Sequence, residues 1–197
     1  MNKLSSYLNK FNETRIMVVG DIIADEFIVG SPERVSREAP VLILRRQGRK
    51  ILPGGAANAA YNISSLQGNV QLVGLTGEDL AGEKLQNILK KKQIDVEGVI
   101  TSQDRPTSLK TRVLAGGEQV VKQQVVRIDH LEKGPISKLL SRQLISQVKS
   151  SITEVDAVLL SDYGNGIFTA KIKEKLIEIG KSHNIPVAVD SRYDLLD

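Results

Sequence analysis

Short apolar runs alternate with amphipathic stretches along most of this chain, and that alternation constrains the fold more than any other feature. Arg15–Gly20 (RIMVVG) is nearly continuous in apolar residues, and residues 70–75, 96–100, 155–160 and 185–189 repeat the pattern. Strands buried on both faces read this way, whereas half-exposed strands alternate. The intervening stretches carry helical spacing. Asp79 stands where an N-cap would precede Leu85, Ile88 and Leu89, and Thr169 stands likewise before Ile172, Leu176 and Ile179. Pro135 suits a first helical turn, with Leu139, Leu140, Leu144 and Val148 continuing the stripe. Leu4, Tyr7, Leu8 and Phe11 predict a further amphipathic helix at the start. The rhythm predicts an α/β fold, a mostly parallel sheet with helices on both faces.

Two regions break the rhythm. In residues 26–52, Phe27, Val29, Val41 and Ile43 alternate with their neighbours before Leu44 leads into Arg45 and Arg46. Residues 109–115, a Gly116-Gly117 turn and residues 119–128 read as a hairpin. These segments, about 26–52 and 107–128, predict a small β-sheet lid standing apart from the main sheet. One lid face is apolar enough to need a ligand, a partner subunit, or both, against it.

Composition narrows the chemistry. With 197 residues, the chain has material for one sizeable core. There are no cysteines and two histidines, His130 and His183, which argues against disulfides, thiolate metal sites and histidine-based triads. A Mg²⁺ held by carboxylates and phosphates stays compatible with this composition. Residues 1–15 lack the apolar segment of a secretory signal, and no apolar run approaches membrane-spanning length. A cytoplasmic protein without a membrane partner is expected. Aromatics make up 4% of the chain, too few for a stacking surface, so no nucleic-acid partner is expected either. The net charge of +4 includes two clusters, Arg45, Arg46, Arg49 and Lys50, and Lys90 to Lys92. The lysines read as a solvated face, and the arginines as an attractor for an anionic small molecule.

The stretch Pro53-Gly54-Gly55-Ala56-Ala57-Asn58-Ala59-Ala60 carries the strongest chemical signal. Two glycines let the backbone approach a ligand, and a helix beginning directly behind them aims free N–H groups at whatever lies in front. Asn58, one turn in, both donates and accepts. Two readings are open here: a polar-ligand site, or a tight turn where helix and strand pack closely. Asp21 and Asp25 follow the first strand, where open α/β sheets bind ligands and where carboxylates accept from sugar hydroxyls. The competing reading, an Asx-turn, suits Asp21 better than Asp25. Gly164-Asn165-Gly166-Ile167-Phe168-Thr169 imitates a dinucleotide fingerprint, with Asp190 ending the following strand. Thr169 at the third glycine position, and Asp162-Tyr163 between strand and turn, argue against that reading. No phosphate-binding G-x-x-x-x-G-K-[ST] loop and no G-x-S-x-G elbow occur.

Gly54 to Ala60, six residues on to Leu66, and then Gly77 resemble the first signature of the ribokinase-like (PfkB) carbohydrate kinases. Gln67, followed by Gly68, departs from the signature, which has Gly or Ser at the Gln67 position. Val19-Gly20-Asp21-Ile22-Ile23-Ala24-Asp25, Ser36-Arg37-Glu38-Ala39-Pro40-Val41, Leu72-Val73-Gly74-Leu75-Thr76-Gly77 and Leu160-Ser161-Asp162-Tyr163 narrow the match. They resemble the kinase domain of the heptose 7-phosphate kinase/ADP-heptose synthase group. The resemblance implies an α/β core with a β lid, a lid-to-lid homodimer, and a sugar-phosphate substrate phosphorylated at its anomeric hydroxyl with ATP and Mg²⁺. The implied substrate residues are Asp25, Gly54, Gly55 and Asn58 at the sugar, Lys110 at its phosphate, and Asp162 lining the cleft. Asp190 is a further cleft candidate, and Arg34 and Arg127 are candidates whose competing reading is an exposed strand charge. The family's second signature, a Gly-Ala-Gly-Asp stretch supplying the base and an anion hole, does not occur in the sequence. The expectation is therefore a fold truncated before its nucleotide-binding half, with no catalytic residue, no metal ligand and no tightly held cofactor in this chain. The rival expectation is a non-catalytic sugar-binding or dimerisation module. Another sugar kinase of the family, or a dinucleotide-binding protein, stands further back.

Overall fold

A computed structural model describes residues 10–117 and 121–192. In chain order the elements begin with β1 (Arg15–Gly20), β2 (Ile22–Val35), β3 (Leu42–Gly55), α1 (Ala56–Ser65), β4 (Asn69–Gly77) and α2 (Leu80–Lys91). They continue with β5 (Val99–Ser102), β6 (Ser108–Ala115), β7 (Gln123–His130), α3 (Lys138–Ser151), β8 (Ala157–Asp162), α4 (Ala170–Ser182) and β9 (Val187–Ser191). The helix expected at the start falls almost wholly outside the described residues, and Phe11–Glu13 forms a short 3₁₀ turn.

The alternating apolar runs make one five-stranded sheet, ordered β5-β4-β1-β8-β9 and parallel at every pairing. The apolar run of β1 has its explanation in that central place. Met17, Val18 and Val19 are fully buried, with Met17 and Val19 on one face and Val18 on the other. One core joins Met17 and Val19 to Leu144 of α3 and Leu176 of α4. The other joins Val18 to Ala60 of α1 and to Leu85 and Leu89 of α2. Helices thus cover both faces, as parallel sheets require.

The irregular segments form a second, four-stranded sheet ordered β3-β2-β6-β7. β2 is antiparallel to β3 and parallel to β6, and β7 closes the sheet antiparallel to β6. Only Asp21 separates β1 from β2, and Gly55 ends β3 directly against α1. These two of the four passages between core and lid therefore meet at one place, beside the Gly54-Gly55 pair.

Three local expectations are corrected. The 96–100 strand begins only at Val99, because Val96 and Gly98 form the turn that leads into it, with Val99 N–H donating to the Val96 carbonyl. The Gly116-Gly117 turn is not a two-residue link, since Ala115 pairs with Gln123, and residues 118–120 lie outside the described set. The third helix starts at Lys138, capped by Ser137 accepting from Leu140 N–H at 3.2 Å. That start turns Leu140, Leu144 and Val148 inward at i, i+4 and i+8 and leaves Leu139 65% exposed.

Helix ends show a recurring strain. Gln67, Gln93 and Asn184 take positive φ of 69°, 59° and 56° just past α1, α2 and α4. Each sits in a Schellman closure. After α1, Gly68 N–H reaches the Ile63 carbonyl and Gln67 N–H the Ser64 carbonyl; after α2, Ile94 and Gln93 repeat it on Leu89 and Lys90. Asparagine enters this region at less cost than glutamine does, so glycine at 67 relieves a backbone cost. Gln67→Gly is expected to raise stability by about 0.5–1 kcal/mol, read as a higher thermal midpoint. An unchanged or lower midpoint would contradict it.

Candidate active site

Period-two alternation on the lid strands decides which side chains meet. Ile23, Asp25 and Phe27 of β2 share one face, and Ala24 and Glu26 point to the other, where both are buried. Register sets Lys110 of β6 beside Asp25, and Arg112 beside Phe27. On the β3 side, Leu52 stands opposite Asp25, and Gly54 opposite Ile23. With Asn58 from the first turn of α1, Tyr163 from the loop after β8, and Arg192 after β9, these residues line a cavity of about 320 Å³.

Asp25 is the polar centre of the cavity. Its Oδ1 accepts from Arg112 Nη1 at 2.6 Å. Its Oδ2 lies over Gly54, where a Cβ would stand 2.7 Å from it. Gly55 is glycine for a different reason: its φ is +56°, and a Cβ there would meet the Asp21 carbonyl at 2.3 Å. The two glycines of the motif thus do separate jobs, one making room for a carboxylate and the other for a backbone reversal.

Cations and aromatic rings form the rest of the wall. The Arg192 guanidinium lies 4.6 Å from the Tyr163 ring centroid, and the Lys110 ammonium lies 5.9 Å from it. Arg112 and Lys50 lie 5.4 and 5.2 Å from the Phe27 ring. Burial pushes the Lys110 ammonium pKa down, and the Arg192 charge pushes the same way, against the opposing pull of Asp129 and Asp25. Three cations, Lys110, Arg112 and Arg192, face a cavity that Asp25 alone supplies with a carboxylate. An anion entering it relieves that excess.

Five residues singled out from the sequence, Asp25, Gly54, Gly55, Asn58 and Lys110, thus come together around one cavity. Asp162 does not join them. It is 4% exposed, its Oδ2 is held by Lys173 at 2.9 Å, and its Oδ1 accepts from Gly164 N–H. Arg127 shares the Lys110 face one strand out and is paired with Asp129 at 2.9 Å. Arg34 stands at the far end of β2, opposite Ile43, and Asp190 lies exposed on the outer strand β9. Four lining residues escape the sequence reading: Phe27 and Arg112, which period-two spacing from Asp25 and Lys110 could have found, and Tyr163 and Arg192, for which spacing carries no signal.

The glycine-rich loop after β8 does not fit a pyrophosphate. Its N–H groups are already committed: Tyr163 and Asn165 donate to Asp21 Oδ2 at 2.8 and 3.2 Å, and Gly164 donates to Asp162 Oδ1 at 3.0 Å. Gly166, at φ 82°, is needed because a Cβ there would overlap the Gly134 carbonyl. Asp21 therefore makes no Asx-turn; its side chain reaches across to a distant loop. Among the described residues no cluster of three or more His, Asp or Glu is arranged to hold a metal. No helix among them is long and apolar enough to cross a membrane. A larger cavity of about 530 Å³ lies at the start of α2, lined by Gly77, Glu78, Asp79 and Glu83 among others. It carries three carboxylates and one lysine, a charge balance opposite to that of the Asp25 cavity.

A parallel α/β core roofed by a β lid, with a polar cavity at their junction, defines the architecture of a ribokinase-like sugar kinase. The family model for the pfkB family carbohydrate kinases matches residues 13–196, and the chain belongs to that family. Among curated relatives, the bifunctional protein HldE of Gluconobacter oxydans is 38% identical over 94% of this chain and 38% of its own length. That of Helicobacter pylori strain P12 is 39% identical over 90% of this chain and 38% of its own. The chain thus spans less than two-fifths of these relatives. Among solved structures, a carbohydrate kinase from Agrobacterium tumefaciens superposes with a TM-score of 0.68 at 22% identity, covering 89% of this chain and 53% of that one. Phosphofructokinase-2 from Escherichia coli, in complex with substrates and products, gives 0.66 at 20%, covering 90% and 54%. These similarities establish the fold.

Proposed function

We propose that the Asp25 cavity is the sugar-phosphate site of a carbohydrate kinase that acts on a heptose 7-phosphate. The observation that carries this reading is the convergence of Lys110, Arg112 and Arg192 on a cavity with one carboxylate. Asp25 and Asn58 then hold sugar hydroxyls, Gly54 lets the sugar approach the backbone, and the three cations take the substrate's own phosphate. The motif resemblance and the HldE relatives support the heptose branch. In the intact reaction the anomeric O–H loses its proton to a base, the oxygen bonds to the γ-phosphorus of ATP, and ADP leaves. ATP with Mg²⁺ supplies the phosphoryl group. The chain's part is to place and desolvate the accepting hydroxyl. Base and anion hole belong to the second signature that this sequence lacks, so the chain by itself is expected to bind sugar phosphate and turn over negligibly. Titration calorimetry of the chain with heptose 7-phosphate and with fructose 6-phosphate tests the assignment. Preferential binding of the heptose is expected, and binding of neither sugar would sink it.

The rival, a dimerisation role, has its own observation and is compatible with the first. Val35, Val41, Leu42, Val126 and Ile128 of the lid strands and their connection are each about half exposed or more. We propose that these side chains meet a second copy of the chain, lid against lid. Ile128→Lys is then expected to shift the sedimentation coefficient from dimer to monomer. A wild-type chain that sediments as a monomer at micromolar concentration would refute this.

A further inference from the structure

Asp21 is a buried carboxylate with no place in the sugar-binding chemistry, yet it bonds to three separate segments of the framework. It is 2% exposed and sits at the single-residue passage between core and lid. Its N–H donates to the Ser161 carbonyl at 3.1 Å, and its carbonyl accepts from Ala56 N–H at 2.9 Å. Its Oδ2 takes both Tyr163 N–H and Asn165 N–H. One residue therefore ties β8, the start of α1 and the loop bearing Tyr163. Two walls of the cavity, the Gly54–Asn58 turn and the Tyr163 ring, hang from its backbone and side chain respectively.

We propose that Asp21 is the positioning residue of the sugar cavity, its ionised carboxylate fixing the 163–165 loop and with it the Tyr163 ring. The proposal rests on the sugar-phosphate reading of that cavity. Two backbone donors converging on one oxygen call for an anionic acceptor, because charge-assisted hydrogen bonds are stronger than neutral ones. Its other oxygen, Oδ1, has no protein partner, and neither has Asn165 Nδ2. Asp21 and Asn165 both line a small cavity of about 10 Å³, the size of one water, with Arg105 beside them. Arg105 spends its own N–H groups on the carbonyls of Gly134, Glu132 and Asn165, so it steadies the far side of the same loop.

The charged groups facing Asp21 are Arg105, from the segment before β6, and Asp162, from the end of β8. Burial raises the Asp21 pKa and the Asp162 charge adds to it, while the N–H groups of Asn165 and Tyr163 only partly oppose this. A carboxyl whose folded pKa lies above its unfolded value takes up a proton more readily in the native state, so mild acid neutralises it without unfolding the chain by that route. What goes is the anionic acceptor of the loop. The cavity wall is then expected to loosen at a pH above the usual carboxylate range while the rest of the fold persists.

Tyrosine-selective ¹⁵N labelling gives four amide signals, one of them Tyr163, assignable by Tyr163→Phe. In wild type the Tyr163 amide is expected to be protected from exchange at pH 7, to shift with the raised pKa, and to lose protection at least tenfold on the acid side. Asp21→Asn, which keeps the shape and removes the charge, is expected to abolish that titration, expose the amide at every pH and weaken heptose 7-phosphate binding at least tenfold. A Tyr163 amide that stays protected in Asp21→Asn, or a binding constant unchanged by it, would overturn the proposal. The wild-type titration needs no variant, so a variant that fails to fold leaves a decisive arm: a Tyr163 amide insensitive to acid refutes the role. Absence of sugar-phosphate binding by wild type would instead count against the cavity's assignment, and the exchange data would still decide whether Asp21 anchors the loop.

Discussion

Alanine at position 54 is expected to weaken sugar-phosphate binding on the order of 100-fold, near 3 kcal/mol, in a chain that still folds. The reason lies in what the added methyl would meet. Its nearest neighbour is Asp25 Oδ2 at 2.7 Å, a side-chain atom able to swing away, and the nearest backbone atom, the Ile23 carbonyl oxygen at 3.2 Å, need give only a few tenths of an ångström. In swinging away, the carboxylate leaves Arg112, which holds its other oxygen at 2.6 Å. The substitution therefore removes the hydroxyl acceptor and frees a cation at one stroke. Gly48→Ala is the matched control, since open space surrounds that position in the same strand. Calorimetry should show the loss for Gly54→Ala and wild-type affinity for Gly48→Ala. Equal affinities for the two variants would mean that Asp25 is not what the sugar touches.

Gly20→Ala is expected to cost stability in place of affinity. Gly20 closes β1, paired with Gly74 on one side and Ser161 on the other. A Cβ there would stand 2.2 Å from the Ser161 carbonyl oxygen, a backbone atom of the neighbouring central strand. No rotamer change relieves that contact, so β1 and β8 must separate at the point where Asp21 hands the chain to the lid. A loss of at least about 3 kcal/mol is expected, lowering the thermal midpoint by roughly 6–12 °C for a chain of this size. Cooperative melting at the wild-type temperature would contradict the packing described for the strand ends.

How much of this was legible in the sequence depends on how local each signal is. The continuous apolar run of β1 and the alternation across residues 26–52 reveal two kinds of sheet, because burial on one face or two writes directly into the residue pattern. Asp25, Gly54, Gly55, Asn58 and Lys110 belong to motifs that short stretches carry whole. Arg112 was within reach of the same logic, since it follows Lys110 by two residues and so shares its face. Tyr163 and Arg192 had no such signal. They meet only because the order β1-β8-β9 sets the ends of the last two strands beside the lid, which is a property of topology. Asp162 stands at a strand end, as ligand residues often do, but Lys173 from the first turn of α4 claims its carboxylate. Gln67 shows the reverse case: a departure from the family signature that the backbone absorbs in a left-handed turn.

The most direct test is a crystal structure of the chain with heptose 7-phosphate bound. The substrate's phosphate should lie among Lys110, Arg112 and Arg192, with sugar hydroxyls on Asp25 and Asn58 and the ring against Gly54. A ligand seated in the larger acidic cavity at the start of α2, or one reversed so that its phosphate avoids the three cations, would contradict the account.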